Sequence, residues 1–515
     1  MTGAFTDDTL ALMRLAAIDV GSNSVHLLIA DVSPEGHLEV IDRVKEMVRL
    51  GRRSFTTGLL SQEAMDLAVR VLAHFQSVVE VRRVDRVRAV ATSAVREADN
   101  KNQFIARIKR ETGVNVEVIS GYEEAQLIYR AAQYALGLEG GPHLLVDLGG
   151  GSLELVLVQD RRPIWMKSAK LGAARMTERF LLDDSPTPAQ CKRLETHFEK
   201  EIGEQMQAAR RAGVVRAICT SGTINTLIAM ARAARGEELG MLHGSIASAT
   251  EIARLCRKAV GASAAMRMAL PGIDAKRVDQ IPASAMLADF VLRRSGAKEM
   301  VACTWALREG MLLELAEATN RSALEIRRGS VNTLATRFAQ HNLHGRQVAK
   351  LALKLFDATA FTLDLPESSR ELLEYAALLH DIGHAIDHDR HNRHSYYLVK
   401  NADLLGFEPV EIEMIALALR AHRKQSAQLD SPEWQALSAG KRRVARGMAA
   451  ILRVADALDR SHRSVVKTVA VVYSPGRAQI EIGSGRAKAD LELWTCERRI
   501  DLLTKLMDRR VILQN

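Results

Sequence analysis

Two stretches of this chain carry one pattern of residues able to handle phosphate and a cation. Ile18 to Asp31 reads IDVGSNSVHLLIAD, and Val146 to Gln159 reads VDLGGGSLELVLVQ. In each, an Asp ends an apolar run, small turn residues and a Ser follow, and a second apolar run leaves. The same 128-residue offset separates Asp19 from Asp147, Ser24 from Ser152 and His26 from Glu154. A repeat of that length is domain-sized and predicts two similar half-bodies. Each copy reads as a β-hairpin, Leu15 to Ile18 returning as Val25 to Ala30, and His143 to Val146 returning as Leu153 to Val158. In the turns, Gly21, Ser22, Asn23 and Ser24, and again Gly149, Gly150, Gly151 and Ser152, let backbone N–H groups approach a ligand closely. Such a concave array of donors binds phosphate oxygens, although a single Gly-rich hairpin would be read simply as a turn. Asp19, Asp147 and Glu154 are hard oxygen donors suited to Mg2+, held directly or through water. His26 stands where the other copy has Glu154, so acid chemistry should concentrate on the second hairpin. No P-loop occurs, and Glu154 replaces the last Gly that a dinucleotide fingerprint would need.

The elements that must position these turns are mixed. Leu38 to Ile41, Val87 to Ala91 and Val114 to Ile119 read as further strands. Met65, Ala68, Leu72, Phe75 and Val79 form one face of a helix starting near Ser61. Ser120 to Glu123 spells S-x-x-E before an apolar helical pattern, so Glu123 is expected to complete a capping box. Glu124, about 100° further around the helix, is then free to face a cleft. The small-residue turn TSGTIN (Thr220 to Asn225) opens another helix and could receive an anion or merely cap.

Eight ordered segments resemble the exopolyphosphatase and guanosine pentaphosphate phosphohydrolase family, which shares the fold of actin, sugar kinases and heat-shock chaperone ATPases. They are the two repeats, MVRLG (Met47 to Gly51), ATSAVREADN (Ala91 to Asn100), VISGYEEAQLIY (Val118 to Tyr129), TSGTIN, RVDQI (Arg277 to Ile281) and REG (Arg308 to Gly310). Leu153 departs from the usual Thr. The resemblance implies an α/β fold of two actin-like (ribonuclease H-like) domains flanking a cleft, over residues 1–136, with 1–13 flexible, and 137–322. It also implies that Glu124 activates water, that Arg96 clamps phosphate, and that Mg2+ assists, with a monovalent cation such as K+ as a further candidate. Inorganic polyphosphate is the implied substrate, guanosine pentaphosphate the alternative, and a homodimer the implied assembly. Arg49 is a further phosphate candidate, whereas Arg82, Arg83, Arg86 and Arg88 read as a solvated face.

From Arg327 the texture turns helical. His344, the His380-Asp381 pair and Asp456 occur in an order that resembles the HD-type metal phosphohydrolases, implying an all-helical HD-like domain at 323–465 whose imidazoles and carboxylates suit a divalent metal. A structural role, forming a dimer and extending a channel, is the competing reading. Arg390, Arg393, Lys400, Arg420, His422, Arg423 and Lys424 would suit such a channel for a long anion. Residues 466–515 read as a small α/β appendage.

Composition bounds these readings. The 515 residues are 47% apolar and 26% charged, which fits several globular domains and excludes a disordered chain. The net charge of +9 favours polyanionic partners, with no sign of sequence-specific nucleic-acid reading. No apolar run approaches a membrane span, so no membrane is expected and the cytoplasm is the expected location. Cys191, Cys219, Cys256, Cys303 and Cys496 lack disulfide or zinc spacing and are expected to be buried thiols. A kinase of the same fold and a non-catalytic nucleotide or phosphate sensor remain rival functions.

Overall fold

The computed structural model describes residues 13–33, 37–237, 241–317, 323–338, 343–423, 429–485 and 487–514, so all but the last residue of the expected flexible 1–13 lies outside the described residues. The chain divides into two compact units, Met1–Ile326 and Arg327–Asn515.

The first unit contains two sheets. One is built from β1 (Met13–Val20), β2 (Ser24–Val32), β3 (Leu38–Met47), β4 (Arg86–Ala91) and β5 (Val116–Val118), in the order β3-β2-β1-β4-β5. The other uses β6 (His143–Leu148), β7 (Leu153–Gln159), β8 (Arg162–Ala169), β9 (Arg216–Cys219), β10 (Ile246–Ser248) and β11 (Glu299–Ala302), in the order β10-β11-β9-β6-β7-β8. In both sheets three antiparallel strands adjoin parallel ones: β1 pairs β2 antiparallel and β4 parallel, as β6 pairs β7 antiparallel and β9 parallel. The repeat in the sequence is therefore a repeat of topology, with β10 added at one edge. Leu15, Ala16, Ala17 and Ile18 are all fully buried, the run expected of a central strand covered on both faces.

The helix predicted near Ser61 spans Gln62–Val81; Ser61 Oγ accepts the Ala64 N–H at 3.3 Å, and its five predicted apolar residues are buried. The helix Gly121–Leu136, which carries Glu124, is fixed from two directions. At its start Ser120 Oγ accepts the Glu123 N–H at 3.1 Å, but the Glu123 carboxylate takes a 2.7 Å bond from Arg88, so only half of the expected capping box forms. Behind it packs the helix Leu307–Leu315, where a Cβ on Gly310 would stand 2.1 Å from the Leu127 carbonyl oxygen; only Gly permits that approach. Arg88 also binds Glu314, and Arg86 donates to the Leu315 carbonyl. The expected solvated arginine face is thus corrected in part: Arg88 is a half-buried tie between two helices.

In the second unit, the helices Leu343–Thr359, Ser368–Leu379, Pro409–Ala421 and Ala439–Ala457 enclose one apolar core. A sheet of β12 (Thr468–Ser474), β13 (Arg477–Gly483) and β14 (Arg510–Gln514) contributes Ile480 and Val511 to that same core. The helices Asp490–Glu497 and Asp501–Met507 accompany this sheet, as the small α/β appendage expected of the tail requires. Among the described residues no helix is long and apolar enough to cross a membrane.

Candidate active site

The hairpin register places chemistry at equivalent points. Asp19 lies opposite His26 in the first hairpin, and Asp147 opposite Glu154 in the second. Each turn is closed alike, Gly21 N–H donating to the Ser24 carbonyl at 3.1 Å and Gly149 N–H to that of Ser152 at 3.0 Å. Both turns line one cavity of about 550 Å3. They touch within it: a Cβ on Gly151 would fall 2.8 Å from Ser22 Oγ and 2.6 Å from Ser93 Oγ, and one on Gly150 would fall 2.9 Å from Asn23 Cγ. Asn23 Nδ2 also donates to Gln280 Oε1 at 3.0 Å. All the turn residues named from the sequence, Gly21 to Ser24 and Gly149 to Ser152, face this space together with Asp19, Glu124 and Asp147.

Glu124 is buried, and its Oε2 accepts a 3.0 Å bond from Arg96, which also donates to the Ile119 carbonyl. Arg96 therefore holds Glu124. Thr220 Oγ1 donates to Asp147 at 2.5 Å, and Ser168 Oγ to Glu154 at 2.8 Å. Burial pushes Asp19 and Asp147 up to about 6, against the pull of Arg308 on both and of the Thr220 bond on Asp147; Glu124 rises to about 7, from burial offset by Arg96. Glu154 is also raised well above the usual carboxylate range, by burial and then by Glu124 and Asp147. Asp19 Oδ1 and Glu154 Oε2 are buried with no hydrogen-bond partner. Asp19, Glu124 and Asp147 line the cavity, and Glu154, outside its lining, lies within electrostatic reach of Glu124 and Asp147; carboxyl groups so placed, two with orphaned oxygens, suit a hard divalent cation such as Mg2+.

The wall of the same cavity also carries basic residues, Arg43, Lys45, Lys276, Arg277 and Arg308. Arg308 donates to His26 Nδ1 at 3.0 Å, so the proton of the neutral ring sits on Nε2, 2.7 Å from Ser24 Oγ. Burial and the charges of Arg308, Lys45 and Arg277 hold that imidazole down to about 2. Arg277 and Arg308 were visible only inside quoted motifs. Arg175 was missed: it donates to the Gly151 carbonyl at 2.7 Å and to Glu97 at 2.5 Å, and lies 4.0 Å over the Phe55 ring, joining the two halves. No local pattern in the sequence distinguishes it from a surface arginine. Arg49 is a correction: its side chain is exposed and outside the cavity lining, and its N–H supports the first turn by donating to the Asn23 carbonyl at 2.8 Å.

In the second unit, the predicted His344, His380, Asp381 and Asp456 do meet. His344 Nε2 lies 3.3 Å from His380 Nε2, 3.7 Å from Asp381 and 3.5 Å from Asp456. The suggested basic channel fares less well. Lys400 and Arg420 are spent on Glu413 and Glu433, His422 is fully buried, and Lys424 lies outside the described residues.

The Ppx/GppA phosphatase family profile matches residues 28–319, more than half of the chain, and the family's domain III matches residues 326–492. The chain belongs to the Ppx/GppA phosphatase family. Exopolyphosphatase 1 of Mycobacterium leprae (strain TN) is 32% identical over 308 residues, 58% of this chain and 89% of that protein. The crystal structure of an exopolyphosphatase from Cytophaga hutchinsonii is 30% identical, covering 60% of this chain and 99% of that one, with a TM-score of 0.56. A Ppx/GppA family member from Aquifex aeolicus is 29% identical, covering 61% and 100%, with a TM-score of 0.52.

Proposed function

We propose that this Ppx/GppA member is an exopolyphosphatase, hydrolysing the terminal phosphoanhydride of inorganic polyphosphate to release orthophosphate. One observation carries the reading: the two turns of hydrogen-bond donors meet in a single cavity, and Glu124, the buried carboxyl group that Arg96 holds, lines it beside them. The turns bind oxygens of the terminal and penultimate phosphates, and the basic wall receives the chain behind them. Glu124, oriented by Arg96, takes a proton from an in-line water. The water oxygen bonds to phosphorus as the bond to the bridging oxygen breaks, and the shortened chain leaves as the anion. Bound at Asp19, Asp147 and Glu154, Mg2+ would supply charge neutralisation on the transferring phosphoryl group. Orphaned oxygens on two of these residues support that assignment.

Guanosine pentaphosphate ends in the same kind of anhydride and is the second substrate to test. Assays of orthophosphate release from long-chain polyphosphate, guanosine pentaphosphate and ATP, with Mg2+, rank the candidates directly. Polyphosphate is expected to turn over fastest. Faster turnover of guanosine pentaphosphate would reassign the substrate, and binding without release would make the protein a sensor. We place the activity in the cytoplasm, a reading supported by five unpaired cysteines, and expect a homodimer by light scattering.

A further inference from the structure

The first hairpin carries a chain of hydrogen bonds that the second does not. Ser24 opens β2 and His26 stands two residues on, so the pleat of the strand sends both side chains to one face. Ser152 and Glu154 hold the equivalent places in the second hairpin, Glu154 opposite Asp147 as His26 is opposite Asp19.

The two pairs differ in polarity. Ionised Glu154 only accepts, and the hydroxyls of Ser152 and Ser168 both donate to it. In the first hairpin the ring of His26 faces the serine instead. Its Nε2 lies 2.7 Å from Ser24 Oγ, and its Nδ1 meets Arg308 Nη1 at 3.0 Å. A guanidinium only donates, so Nδ1 accepts and the ring proton sits on Nε2. A proton on Nδ1 would set two donors head to head. Nε2–H therefore donates to Ser24 Oγ, and the serine's own proton must point elsewhere. Among the described residues nothing accepts it. Ser24, His26 and Arg308 all line the cavity, where a ligand oxygen can.

Both ends of the chain are anchored before any ligand arrives. Gly21 N–H donates to the Ser24 carbonyl at 3.1 Å. Arg308 lies in the first turn of the helix Leu307–Leu315, whose start is held by a 2.9 Å bond from Ala306 N–H to Glu309 Oε2. Arg308 does not give up its proton, so the chain orients the hydroxyl and conducts no proton to it.

We propose, resting on the reading that a phosphate chain occupies the cavity, that His26, held by Arg308, is a positioning residue that fixes the Ser24 hydroxyl as a hydrogen-bond donor to a non-bridging phosphate oxygen. An imidazole stands where the other repeat has an acid because an acceptor there would turn the Ser24 proton away from the anion.

The test is a double-mutant cycle on the full chain. It reads kcat/KM for orthophosphate release from long-chain polyphosphate with Mg2+, and Kd for inorganic tripolyphosphate by calorimetry in the Glu124→Gln background, where turnover is slowed. Ser24→Ala should weaken both by about 10- to 150-fold, the weight of one hydrogen bond to a charged group. His26→Leu should reproduce most of that loss. The double variant Ser24→Ala/His26→Leu should be no more than about twofold worse than Ser24→Ala, because the ring acts through the hydroxyl. His26→Gln, which offers both a donor and an acceptor, should recover most of the loss, whereas His26→Glu, which copies the second repeat, should not. Melting curves check folding, and the Gln and Glu variants decide the matter if His26→Leu does not fold. Losses that multiply in the double variant, or Gln and Glu variants that behave alike, would overturn the role of His26. Tripolyphosphate binding that follows the cycle without orthophosphate release from wild type would overturn the hydrolytic function and leave the positioning role standing; no binding at all would overturn both.

Discussion

Gly151→Ala is the sharpest perturbation of the contact between the two turns. The added Cβ would lie 2.5 Å from Phe55 Cζ, 2.6 Å from Ser93 Oγ and 2.8 Å from Ser22 Oγ, all on the opposite half. Gly151 does not have a positive φ, so the strain is packing rather than backbone. Overpacking of this kind costs about 1–3 kcal/mol. If the halves part to relieve it, the turns no longer meet one phosphate pair, and at 1.36 kcal/mol per decade kcat/KM should fall about 5- to 150-fold. If they do not part, the strain appears instead as a lower melting temperature. Gly141→Ala is the control, since its Cβ would have no neighbour within 4 Å. Orthophosphate release and thermal melting of both variants, measured side by side, separate the outcomes. Wild-type kcat/KM together with a wild-type melting temperature in Gly151→Ala would refute the convergence of the turns.

Two further predictions concern protons. Asp19 and Asp147 are raised above their unfolded values to about 6, so without cation their contribution to stability is full below about pH 4 and is lost as pH rises through 6. Mg2+ displaces those protons, so the rise in melting temperature on adding Mg2+ should be larger at about pH 8 than at about pH 5; a rise independent of pH would contradict the site. Arg96 holds the Glu124 carboxyl down against burial. Arg96→Ala should therefore move the acid limb of the kcat–pH profile to higher pH, and an unmoved limb would detach Arg96 from Glu124.

The duplication was legible because strand period and turn chemistry are local: β1–β2 and β6–β7 appear where their Asp-turn-Ser patterns lie, with Asp opposite His or Glu as the spacing required. Glu124 could be picked out because Ser120 fixes the helix start, even though Glu123 bonds to Arg88 rather than completing the cap. Arg175 and Thr220 were not assigned roles because their partners, Gly151, Glu97 and Asp147, are distant in sequence and only the closed tertiary structure joins them. The tail was legible as a small α/β appendage, and its last strand, β14, joins the β12–β13 sheet by pairing in parallel with β13.

The most direct measurement is single-turnover orthophosphate release from long-chain polyphosphate by Glu124→Gln, which keeps the side chain's shape and removes its basicity. The chemical step should slow by about 10^2- to 10^4-fold while polyphosphate binding persists. Release at the wild-type rate would mean that some other group activates the water and that the central claim is wrong.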